Sequence, residues 1–198
     1  MRSNIMADIS TNELMFEWYG IIGADKDLEQ GDIYQDFPIM IPPQGIVELL
    51  NDPSEVEIDT TIPVEKYNVV LMTQSCDIPK LKDDDEVLLC PLYDYSVIIP
   101  LMPNYGGAGG WKNLINGRFI GVHILNKCTI ENHVFEYRVI NLRRVFSVPL
   151  GIVKSFVSQK GERIRLLPPY REHLAQAFAR QFMRVGLPID LPSECPNI

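Results

Sequence analysis

Apolar residues in this chain fall in short runs separated by turn residues, and only near the end does their spacing change to that of a helix. Gly31-Asp32-Ile33-Tyr34-Gln35-Asp36-Phe37-Pro38-Ile39 reads as a strand opened by a turn. Tyr67 to Thr73 is apolar at successive positions, the pattern of a strand buried on both faces. Turn chemistry from Asp77 to Asp85 then leads into Glu86–Leu92, a second apolar strand that Pro91 should end or confine to an edge. Arg118–Leu125 and Val134–Leu142 alternate well enough for two more strands, with Phe135, Tyr137 and Val139 facing one way and Glu136 and Arg138 the other. A last hairpin is expected around Gln159-Lys160-Gly161-Glu162, where Arg163 and Arg165 alternate with Ile164 and Leu166.

The ending differs in kind. Pro168-Pro169 opens Tyr170–Val185, a segment free of Gly and Pro, and Gly186 and Pro188 stop it. At helical spacing Leu174, Phe178, Phe182 and Val185 share one face, expected to seal a core, while His173, Arg180 and Arg184 share the opposite one. At the other end, Ser10-Thr11-Asn12-Glu13 suits the cap of a short helix carrying Leu14, Met15, Trp18 and Tyr19, closed by Gly20 and Gly23. Residues 42–66, with four prolines among acidic residues, read as a long mobile excursion. The Gly-rich stretch 104–111 reads as a mobile loop tipped by Tyr105 and Trp111. It lacks the Gly-Lys-Ser/Thr of a phosphate loop, since Trp111-Lys112-Asn113 follows the glycines.

These elements predict one domain over 1–198: an N-terminal segment 1–30, a β-barrel 31–167 and a C-terminal helix 168–187. The fold class expected is mainly β with α, a small SH3-like barrel closed by the C-terminal helix. An apolar fraction of 46% with 22% charged residues supports a packed core over disorder. The net charge of -8 and a pI near 4.9 disfavour nucleic-acid and anionic-membrane partners without forbidding a local basic patch. No apolar run is long enough to cross a membrane, and Met1–Asp8 has no basic start followed by an apolar run. A cytoplasmic protein with reduced thiols is expected. Cys76, Cys90, Cys128 and Cys195 are widely spaced, with no Cys-x-x-Cys or His-x-x-x-His, so neither a metal site nor another cofactor is expected.

The order of these phrases resembles the MazF/PemK growth-inhibitor toxins of bacterial toxin–antitoxin systems. The phrases are Gly31–Pro38, the excursion 42–66, Val69–Thr73, Val87–Leu92 and, more loosely, Val139–Arg144. The resemblance implies the barrel and covers about half of the chain. That family cuts RNA with an Arg of an Arg-Pro pair before the Val-Leu strand and a Thr or Ser after the Pro-Ile/Leu pair. Here those places hold Glu65-Lys66-Tyr67 and Tyr93-Asp94-Tyr95, so no catalytic residue carries over.

The residues themselves offer two candidate sites. Thr73-Gln74-Ser75-Cys76-Asp77 ends a buried strand, where Thr73, Cys76 and Asp77 are the catalytic candidates, although Asp77 would raise the Cys76 pKa and no base adjoins it. A buried Cys76 and a turn-starting Asp77 are the plainer expectation. The second site is cationic: His173, Arg180 and Arg184, with Arg143 and Arg144 and the loop residue Trp111 as further binding candidates. Three functions follow. The first is a non-catalytic interaction protein of a toxin–antitoxin or defence-type module that binds a protein partner, with homo-oligomerisation compatible. The second is a divergent ribonuclease using the late arginines with Asp77. The third is an enzyme of other chemistry around Thr73–Asp77 under the Gly-rich loop.

Overall fold

The computed structural model describes residues 16–42 and 62–183. Along the chain run β1 (Tyr19–Ile22), β2 (Asp32–Met40), β3 (Val64–Leu71), β4 (Glu86–Asp94), α1 (Tyr95–Leu101) and α2 (Gly107–Ile115). Then follow β5 (Val122–Leu125), β6 (Arg138–Asn141), β7 (Phe146–Pro149), α3 (Leu150–Lys160), β8 (Arg163–Leu166) and α4 (Tyr170–Phe182). The described residues thus form a mixed α/β fold of four helices and one eight-stranded sheet, ordered β1-β8-β2-β3-β4-β6-β5, with β7 also on β4. Every ladder is antiparallel.

Both sheet faces are covered, as the apolar runs require. Val70, Met72, Leu92, Ile140, Ile164 and Leu166 point to one core, which Leu174 of α4 joins. Val69, Leu71, Val87 and Leu89 point to the other, covered by Leu150, Val153 and Val157 of α3. A bulge in β2 between Tyr34 and Phe37, with Asp36 at φ +53°, lets both aromatics face this second core. A third cluster packs Tyr105 and Leu114 from the α1–α2 region onto Ile124 and Val139.

The sheet curls until its ends touch through side chains. Tyr19 Oη donates to the Asn126 carbonyl at 2.6 Å, and the Tyr19 and Phe135 rings meet edge to face at 5.4 Å. No ladder joins β1 to β5, so the sheet remains open among the described residues.

Several expectations are corrected. Pro91 neither ends β4 nor lies at an edge. Leu88 turns both its N–H and its carbonyl toward the β3 side, to Thr73 Oγ1 and the Met72 N–H, so alternation turns Pro91 the other way. There it falls between Leu89, the last residue paired with β7, and Leu92, the first paired with β6. The expected hairpin at 159–162 is instead the end of helix α3, turned by Gly161 at φ +89° into β8. Trp18 and Tyr19 are not helical, since Tyr19 opens β1, and residues 10–15 of that expected helix lie outside the described residues. Most of the 42–66 excursion also lies outside them, while Val64 and the residues after it belong to β3. Arg118–Leu125 contributes only Val122–Leu125 as strand, and Val134–Leu142 only Arg138–Asn141 beside a Cys128–Phe135 bridge.

Candidate functional site

Helix α4 turns Leu174 fully inward, with Ala177 and Phe178 half-buried beside it. The 3.6-residue period therefore sends His173 and Arg180 outward, as expected. Both line a cavity of about 620 Å3, a size usual for ligand sites, together with Trp18, Trp111, His123, Tyr137, Tyr170 and Gln176. Three of the expected binding residues, Trp111, His173 and Arg180, are thus brought together.

Aromatic pairs fix its walls. Trp18 stacks on Tyr170 with ring centroids 3.7 Å apart and planes 10° from parallel. Trp111 meets Tyr137 at 4.8 Å and Tyr95 at 5.2 Å, both edge to face. Gly110 delivers Trp111 by close packing. A Cβ on Gly110 would lie 2.5 Å from the Tyr105 carbonyl carbon, so only glycine lets α2 sit against the preceding turn. The reading of residues 104–111 as a mobile loop is therefore corrected: Tyr105 is buried, and Gly107–Trp111 is the first part of α2.

The electrostatics of the cavity are one-sided. Burial first, then the charges of His173 and Arg180, push the His123 pKa from 6.5 down to about 4. Near pH 7 His123 is neutral beside two basic side chains. Among the described residues no carboxylate pairs with His173 or Arg180.

The other nominated arginines are dispersed. Arg143 donates from Nη2 to the Ile120 carbonyl at 2.9 Å. Arg144 lies over the rings of Tyr67 and Phe146, at 4.8 and 5.1 Å, and donates to Tyr67 Oη at 2.9 Å and to Tyr93 Oη at 3.5 Å. Arg184 lies outside the described residues. Arg163 and Arg165, set on one side of β8 by the alternation, are buried on Asp32 of β2, itself fully buried. Backbone carbonyls of Gly23, Lys26 and Asp27 accept their remaining N–H groups, and Glu29 links Arg165 to Arg171 of α4. This cluster was not foreseen, although Arg-x-Arg in an apolar strand demands a buried carboxylate and Asp32 opens the neighbouring apolar strand.

At the end of β3 the candidate side chains make local contacts. Thr73 Oγ1 accepts the Leu88 N–H at 2.8 Å, and Ser75 Oγ accepts the Gln30 N–H at 3.1 Å, both fastening backbone. Asp77 pairs with Lys80 at 2.9 Å and starts the single helical turn Ile78–Lys80. Cys76 is exposed, which corrects its expected burial, and its one side-chain partner is Gln74. Cys90 and Cys128 are buried as free thiols in the core that Leu174 joins, with Cys90 raised to about 12 by burial, while Cys195 lies outside the described residues. Among the described residues no three His, Cys, Asp or Glu side chains gather as a metal site would need, and no helix is long and apolar enough to cross a membrane. No family model and no curated protein sequence matches the chain.

Proposed function

We propose that this protein is a non-catalytic interaction protein of a bacterial toxin–antitoxin or defence-type module, binding a protein partner at the 620 Å3 cavity beside α4. The scaffold in this reading is a MazF/PemK-like, SH3-like barrel without the toxin's catalytic pair. One observation carries it: His173 and Arg180, unanswered by any carboxylate among the described residues, converge with Trp18 and Trp111 on one cavity of a protein of net charge -8. Aromatic and arginine side chains around a hollow are the usual anchors of protein recognition. The scatter of the late arginines, with Arg163 and Arg165 consumed by Asp32 and Asp77 paired to Lys80, supports a binder over an enzyme at Asp77. The test is capture of a partner from the native host by wild type and Arg180→Glu. Wild type should hold a partner that the variant loses, with wild-type capture weakening as salt is added. Equal capture by both would overturn the reading.

A second reading, divergent endoribonuclease, has one observation of its own. Tyr67 and Tyr93, at the two places where the resembled family keeps its arginine and hydroxyl, both approach Arg144. A cation there could answer charge developing on a phosphate. Tyr67 is a poor base, however, because its hydrogen bond to Glu65 raises its pKa. Cleavage of labelled RNA by wild type and not by Arg144→Ala would establish this reading; uncut RNA would dismiss it.

A further inference from the structure

We infer that the cavity takes an aromatic side chain of the partner that carries a carboxylate beside it, an inference that rests on the cavity being the partner's docking site. Two features of the cavity, one for each part of that ligand, lead here. The walls carry aromatic side chains that pack on their neighbours: Trp18 on Tyr170, and Trp111 on Tyr95 and Tyr137. Leu114 and Ile124, both buried, add apolar surface to the lining, which favours an apolar ring. At one side stand Arg180 and His173, both exposed and without a carboxylate partner among the described residues. Both line the cavity together with His123, whose pKa is pushed down by burial first and then by these two side chains. A ring alone would leave Arg180 unanswered and the His173 imidazole without a partner, and an acid alone would leave the aromatic walls bare.

Charge selects the source of the ligand. A protein of net charge -8 repels a polyanion, whereas a segment with one or two carboxylates meets a local positive field at little long-range penalty. An acidic, aromatic-bearing segment of a protein therefore fits better than a nucleic-acid strand.

The chain's only two tryptophans, Trp18 and Trp111, both line the cavity, so unlabelled emission reports its occupancy. Acetylated and amidated tripeptides Glu-Phe-Glu, Glu-Ala-Glu and Lys-Phe-Lys would be titrated into the full chain, beside a 5'-mononucleotide and a short single-stranded RNA. Glu-Phe-Glu should give a saturable change in emission, with the alanine and lysine peptides binding at least about 10-fold more weakly. Arg180→Glu should lose that response, and Lys154→Ala, whose lysine pairs with Asp83 away from the cavity, should keep it. A silent titration to millimolar peptide, equal binding of Glu-Ala-Glu, or tighter binding of the nucleotide or RNA would overturn the inference. Failure here and failure of the partner reading are separable. Silent peptides beside a host partner lost by Arg180→Glu overturn the aromatic-acid ligand alone. A saturating Glu-Phe-Glu signal beside capture that Arg180→Glu leaves unchanged supports the ligand and counts only against the partner reading.

Discussion

The molecule holds two groups of basic side chains that differ in what answers them. Arg163 and Arg165 are buried, and each guanidinium is answered by Asp32 and by backbone carbonyls of the 23–27 loop. His173 and Arg180 are exposed on α4, with no carboxylate partner among the described residues. Desolvated charge must be satisfied from within the chain, so the first group is committed to holding β8, β2 and the loop together. Charge left at a cavity mouth costs little and stays available to another molecule. Arg171 connects the two regions: it lies on α4, two residues before His173, and pairs with Glu29 of the buried cluster at 2.7 Å. The fold thus fixes the base of the helix that presents the open cations.

Breaking the buried group should have the largest effect. Asp32→Asn keeps the shape and removes the one carboxylate shared by Arg163 and Arg165, leaving Arg163 desolvated with backbone carbonyls alone and Arg165 with Glu29 as its one remaining carboxylate. Removing one partner from such a pair costs about 3–5 kcal/mol. Urea unfolding of wild type and variant measures it, and a loss below about 1 kcal/mol would show that the cluster is hydrated rather than sealed.

A second contrast lies within α4 itself. Leu174 is fully buried, whereas Phe182 is 64% exposed. Leu174→Ala should cost about 2–5 kcal/mol, and Phe182→Ala about 0.5 kcal/mol or less. Equal losses in thermal unfolding would return Phe182 to the sealing role that spacing alone assigns it.

That helix illustrates how far the sequence could be read. Its existence, its start at Tyr170 and its two faces were legible because Pro168-Pro169 open a long periodic segment, although it ends at Phe182 rather than at the expected Val185. Which turn of the apolar face reaches the core was not, since that depends on how far the sheet extends beneath the helix. The strands β2, β3 and β4 were legible from apolar runs that no helix period fits. Helix α3 was missed although Leu150, Val153 and Val157 repeat at helical spacing. Gly151 and the β-branched Ile152 and Val153 weaken its propensity, and packing on the sheet overrides that. The Gly-rich stretch was misjudged for a related reason: Gly110 serves close approach to the Tyr105 backbone, a tertiary fact, and flexibility is only what glycine offers in isolation. Of the candidate site, His173, Arg180 and Trp111 were legible as residue types and Trp18, His123 and Tyr170 were not, because strand order alone brings β1 and β5 to α4.

The cavity's own charge pattern gives a pH-dependent effect of intermediate size. Unfolded His123 accepts a proton below its ordinary value of 6.5, while the folded protein resists until about 4. Between those values the unfolded state binds the extra proton, so stability falls as pH falls through the window. The full contribution lost is on the order of 3 kcal/mol. Carboxylates titrate there too, so the measurement is a difference: His123→Gln should show a shallower decline from pH 6.5 to 4 than wild type. Parallel curves would mean that His123 is not held neutral by burial and by its two cationic neighbours.

The smallest stability effect is the most telling for the comparison. Arg180 is exposed, so Arg180→Glu should shift unfolding by no more than about 0.5 kcal/mol. The same change reverses a charge at the cavity mouth, beside His173 and His123, and should abolish partner capture and the tryptophan response to an acidic aromatic peptide. Asp32→Asn is the mirror case. At a temperature where it remains folded it should keep both binding readouts, since α4 stays anchored through Leu174 and the Arg171–Glu29 pair. Unfolding and binding measured on both variants give a crossed pattern if the two cation groups do separate work. A destabilised Arg180→Glu protein, or a folded Asp32→Asn protein blind to the peptide, would make them one cooperative unit, with the open cations part of the scaffold rather than a site.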